Sequence, residues 1–138
     1  MTDTGAGNLA WLLEGFATSA PGTMGALVTS NDGLPLHLHG FTQEGAERVS
    51  AIVSGLASLG RGLDRIPGLD LPSGGSLEQV VIYHGNGRLL VGRAGDQAIL
   101  AVLTRPDAEM SVIAYQMEQL AARLPQHLGT SVRRPKAG

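Results

Sequence analysis

Few residues in this chain have the types and spacing that chemistry requires. Gly5-Ala6-Gly7-Asn8-Leu9-Ala10 matches the G-x-G-x-x-A nucleotide fingerprint. That loop needs a strand before it, and only Met1–Thr4 precede it, so the match is read as incidental. His37 and His39 share one face of an expected strand and could ligate a metal. Zinc sites take three or four ligands, and only His84 and His127 remain, with no cysteine to help, so two ordinary histidines near an edge are expected. Ser30, His37 and Asp32 could be drawn as a nucleophile, base and acid, but no nucleophile elbow or oxyanion-hole signature accompanies them. No Walker A loop, HExxH motif or EF-hand loop is present, and the single lysine, Lys136, lies near the C-terminus. Carboxylates such as Asp64 and Asp70 are expected to be solvated surface. The reading is a protein with no catalytic residues, no cofactor and no metal.

Composition narrows the class further. The 138 residues point to one domain, with 43% apolar residues to build its core. The absence of cysteine excludes a disulfide scaffold. The longest apolar run, Ala98–Leu103, has six residues, against about 20 for a membrane span. No Lys or Arg precedes Arg48, so no basic signal-peptide region is expected, and the reading is a cytoplasmic protein without membrane insertion. A net charge of −2 and 4% aromatics argue against nucleic acid as a partner. Charge is unevenly spread: residues 1–47 carry five acids and no base, and after Glu118 only Arg123, Arg133, Arg134 and Lys136 are charged. That basic stretch, 126–138, is read as a solvated tail, and 1–7 as a frayed N-terminus flanking a domain over 8–125.

The elements follow from periodicity and punctuation. Asn8 can cap a helix over 8–19, with Leu9, Leu12, Leu13 and Phe16 on one face. A strand over 24–30 and another over 34–39 flank Asn31-Asp32-Gly33, a hairpin signal. Leu34, Leu36 and Leu38 are expected on one face, and Pro35 puts this strand at a sheet edge. Thr42 can cap a helix over 43–65, with Ala46, Val49, Val53, Leu56, Gly60 and Leu63 as one stripe widened by Ile52, Leu59 and Ile66. A mobile loop is expected over 67–76. Three strands follow, over 77–83, 88–93 and 98–104. Asp107 can cap a last helix over 108–124, which Pro125 ends. The order is αββαβββα. The last three strands are apolar on both faces, so helices must cover both. The expected fold is a three-layer α/β/α sandwich (α+β) around a five-stranded, mainly antiparallel sheet.

Two features rise above this background. The strand over 77–83 carries Gln79, Val80, Val81, Ile82 and Tyr83 without a proline or a central charge. As an edge it would be a template for pairing, and the simplest cover is a second copy. The face of helix 43–65 away from the stripe shows Ser50, Ala51, Ser54, Gly55, Ala57 and Ser58 and ends in Arg61 and Arg65. Small residues there let another backbone come close. The surface of the paired helices is expected to be broad enough to receive a protein.

The chain also resembles a known family. Ala26-Leu27-Val28-Thr29-Ser30-Asn31-Asp32-Gly33-Leu34 and Ile52-Val53-Ser54-Gly55-Leu56-Ala57-Ser58-Leu59 resemble the first hairpin and central helix of roadblock/dynein light chain domains. Leu90-Val91-Gly92, the run Ala98–Leu103, and Asp107 to Tyr115-Gln116-Met117 resemble the C-terminal half of bacterial, particularly actinobacterial, single-domain members. The likeness spans roughly residues 9–124. It implies a homodimer built from the strand at 77–83 and the central helix, with Gln79, Val80, Val81, Ile82, Tyr83, Ser54, Ala57 and Ser58 at the dimer interface. It implies no enzyme active site. It implies a small Ras-like GTPase as partner, met by Glu47, Ala51, Ser54, Ser58, Arg61 and Arg65. A structural adaptor without effect on nucleotide turnover and a small-molecule sensor domain stand beside this reading as alternatives.

Overall fold

In a computed structural model, residues 4–68 and 79–133 are described. The order is α1 (Thr4–Ser19), β1 (Thr23–Ser30), β2 (Pro35–His39), α2 (Gln43–Arg61), a 3-10 turn (Gly62–Arg65), β3 (Gln79–His84), β4 (Gly87–Arg93), β5 (Ala98–Thr104) and α3 (Met110–Arg133). The five strands form one antiparallel sheet in the order β2-β1-β5-β4-β3. Both expected edges, β2 with its proline and β3 without one, are the edges of the sheet. The α+β fold and its αββαβββα order are those expected from the sequence.

Alternation along the strands sends side chains into two cores. Ala26, Val28, Leu90, Ala98, Leu100 and Val102 pack under α1 and α3, with Leu9, Leu13, Ile113 and Leu124. Leu27, Val91, Ile99 and Ala101 pack under α2, with Ala46 and Val53. β5 is central and buried on both faces, which explains its unbroken apolar run.

Several expectations need correction. α1 begins at Thr4, so residues 4–7 are helical, and Gly5–Ala10 lies within a helix instead of forming a phosphate loop. Asp107 does not cap α3: it belongs to the preceding turn, where Ala108 N–H donates to the Arg105 carbonyl and Arg105 Nε donates to the Asp107 carboxylate. Pro125 does not end α3. The helix continues to Arg133, because Leu124 and Leu128 are both buried in the core and outweigh the lost backbone bond. Leu34, Leu36 and Leu38 do not share a face. The register slips between Val28 and Thr29, so Leu36 joins the α1–α3 core, Leu38 the α2 core, and Leu34 is exposed. The strand expected from 77 is described from Gln79, and most of the loop expected over 67–76 lies outside the described residues. Among the described residues no helix is long and apolar enough to cross a membrane.

Candidate interaction surface

The N-terminus of α2 forms as its sequence dictates. Thr42 Oγ1 accepts from Gly45 N–H at 3.0 Å, and Glu44 stands in the first turn, favourable to the helix dipole. The helix then sits on the sheet through Ala46, Ser50, Val53 and Ala57. Three of these are small, which lets the backbone come close to β1 and β5. Seating on this narrow line rotates the broad apolar stripe of the sequence. Leu63, expected in the buried stripe, and Ile52, Leu59 and Ile66, expected to widen it, are exposed, Leu59 to 76%. Leu56 lies between the two faces.

The same rotation corrects the outward face. Ser50 and Ala57 face the sheet; Ala57 is only 1% exposed and is not available at the surface. Glu47, Ala51, Ser58, Arg61 and Arg65 are exposed, and Ser54 is half-buried. Gly55 is exposed as well, and a Cβ built there meets nothing within 4 Å. Arg61 and Arg65 make no ion pair among the described residues.

At the sheet edge, Val80 packs towards α2, while Gln79, Val81 and Tyr83 are exposed. The Arg88 guanidinium stands 4.7 Å from the centre of the Tyr83 ring. Among the described residues β3 is therefore an outer strand with no strand beyond it, and α2 exposes Ile52 and Leu59 while the turn after it exposes Leu63 and Ile66. The sequence signal for the latter was present: the apolar positions on α2 and its extension are more than one face can bury. Which of them would be left out was not legible from spacing alone.

The middle of α2 is tied to the β1–β2 turn by a polar network. Ser54 Oγ donates to the Asn31 carbonyl at 3.1 Å. Asn31 Nδ2 donates to the Asp96 carbonyl at 2.9 Å, and Arg93 donates to Asn31 Oδ1 and to the carbonyls of Gly95 and Asp96. Sequence reasoning did not single out Arg93, which is separated from Asn31 by 62 positions.

The residues with chemical potential are otherwise engaged. Ser30 Oγ donates to Asp32 and accepts from Leu34 N–H, so its hydroxyl closes the hairpin. Among the described residues no three of His, Cys, Asp and Glu converge on a metal-sized site.

Comparison with known proteins fits this architecture. Residues 9–104 match the family model of the Roadblock/LC7 domain. A Roadblock/LC7 domain from Streptomyces avermitilis is 34% identical, with a TM-score of 0.78, covering 86% of this chain and 96% of that one. Another Streptomyces avermitilis Roadblock/LC7 structure is 37% identical, with a TM-score of 0.65, covering 82% of this chain and 94% of that one. The gliding protein MglB from Thermus thermophilus shares the fold at 16% identity, with a TM-score of 0.78 and coverage of 92% and 93%. No curated protein matches the chain.

Proposed function

We propose that this chain, which belongs to the Roadblock/LC7 domain family, is a homodimeric, non-enzymatic platform that binds a small Ras-like GTPase. The observation that carries this reading is the continuity of two bare surfaces. Among the described residues no strand pairs with the outer side of β3, and α2 with the turn that follows it exposes Ile52, Leu59, Leu63 and Ile66. Burying both against a second copy satisfies each through one two-fold axis. The edge pairs with its own image, and the helices pack side by side. A stable interface needs about 1,200–2,000 Å². Gly55 supports close helix approach: glycine inside a helix costs about 1 kcal/mol relative to alanine, and nothing within the protomer occupies the space its Cβ would take.

The paired α2 helices then form one floor with Glu47, Ala51, Ser54 and Ser58 along it and Arg61 and Arg65 at its ends. The GTPase as client follows from the family resemblance. The two arginines act by orienting the partner's loops.

The test has two stages. Light scattering at micromolar concentration should give the mass of two chains. Co-purification from the native host should then bring down a Ras-like GTPase, whose GTP hydrolysis is measured with and without this protein. A monomer, or capture with no GTPase present, overturns the proposal. Binding with an unchanged hydrolysis rate assigns the adaptor role.

A further inference from the structure

A second surface lies on the opposite side of the sheet, where α1 and α3 leave an open groove of about 160 Å³. Its floor is apolar, made by Leu12, Phe16 and Leu120, all nearly buried. An engineered apolar cavity of about 150 Å³ accepts a benzene ring, so the hollow has the size of one bulky side chain.

Three residues at its rim have no explanation in the fold. Trp11, the chain's single tryptophan, is 65% exposed. Tryptophan and arginine are the residues most enriched where binding energy concentrates. Gly15 sits in mid-helix at a cost of about 1 kcal/mol relative to alanine. It is not among the positive-φ glycines, and a Cβ there meets nothing within 4 Å. It lines the groove, so a long side chain at this position would stand in it. Arg123 is the only charged residue lining the groove and makes no ion pair among the described residues. Glu14 is adjacent to Gly15 in sequence but does not line it.

We propose that this groove docks a peptide segment of a partner protein that carries a bulky apolar residue next to a carboxylate. The apolar side chain fills the hollow beside Trp11 above Gly15, and the carboxylate pairs with Arg123. The guanidinium fixes the sign of the partner, because a basic segment would meet an unpaired like charge. The site lies across the sheet from α2, so it is independent of the platform proposed above.

The experiment is a selection of displayed random peptides on the purified full chain, with Gly15→Arg as the counter-selection. Gly15→Arg fills the groove, while Gly15→Ala leaves most of it open and serves as the folding control. The expected result is a shared apolar–acidic motif that binds wild type and Gly15→Ala and is lost on Gly15→Arg. Synthetic peptides with that motif should change Trp11 fluorescence saturably. Arg123→Glu should weaken them by about tenfold or more, and exchanging the peptide's acid for lysine should restore binding to that variant. Three results overturn the proposal. One is no enrichment above the Gly15→Arg background, or enriched peptides without an acid. Another is a Trp11 signal that changes with protein concentration alone, which makes the groove a contact between copies. The last is binding only to vesicles of equal parts phosphatidylcholine and phosphatidylglycerol, which makes it a lipid contact.

Discussion

Arg93 Nη1 donates to Asn31 Oδ1 at 3.2 Å, joining the end of β4 to the turn between β1 and β2. Through Asn31 the link reaches α2 at Ser54, and through Arg93 it reaches the turn between β4 and β5. Three segments distant in sequence thus meet at Asn31, α2 through its backbone carbonyl and the β4–β5 hairpin through its side-chain amide. These bonds are solvent-exposed, so each is worth about 0.5–1.5 kcal/mol at most. Asn31→Ala should lower the urea midpoint by the equivalent of about 1–2 kcal/mol, with the slope unchanged. In a double-mutant cycle, Arg93→Ala should cost less once Asn31 is gone, and the loss that remains reports its bonds to the carbonyls of Gly95 and Asp96. Additive losses would show that the contact carries no energy.

Ser50 Oγ is buried and has no hydrogen-bond partner. A lone buried hydroxyl carries a desolvation penalty of about 1–3 kcal/mol that its removal relieves. Ser50→Ala should therefore raise the melting temperature by a few degrees, and Ser50→Val should lower it by overpacking α2 against the sheet. A drop for alanine would mean that the hydroxyl is satisfied in solution.

Leu59 is the most exposed large apolar residue of those described. Leu59→Glu should leave the protomer's circular dichroism intact and convert dimer to monomer in light scattering. Val81→Lys, a charge on the open edge, should do the same by a separate route. A dimer that survives both substitutions has its interface elsewhere.

Gly55→Ala should move two measurements in opposite directions. The helix gains about 1 kcal/mol from the better propensity, seen as a higher melting temperature in a monomeric Leu59→Glu background. The dimer loses affinity, because the added methyl meets the partner helix.

Arg61→Ala and Arg65→Ala address the client. If either arginine entered a nucleotide pocket as a finger, its loss would lower GTP hydrolysis by about 10³–10⁵. Orientation of the partner's loops predicts a loss of only a few-fold, together with weaker binding. Hydrolysis and affinity measured on each variant decide between them.

The sequence by itself determined the strand count, the sheet edge at Pro35 and the need for helices on both faces, while the structure placed β3 at the other edge. Those follow from short-range facts: the apolar faces of Leu9–Phe16, the Asn31-Asp32-Gly33 turn, Pro35, and the unbroken run Ala98–Leu103. Tertiary structure alone decided which side of α2 is buried. More apolar positions than one face can hold compete for the sheet, and the narrow line Ala46, Ser50, Val53 and Ala57 wins because small side chains let the helix lie closest to it. Packing also overrode the local signal at Pro125, where Leu124 and Leu128 hold α3 on the core. The Arg93–Asn31 contact was beyond any local pattern, since the residues, 62 positions apart, meet only when the β1–β2 turn and the end of β4 converge.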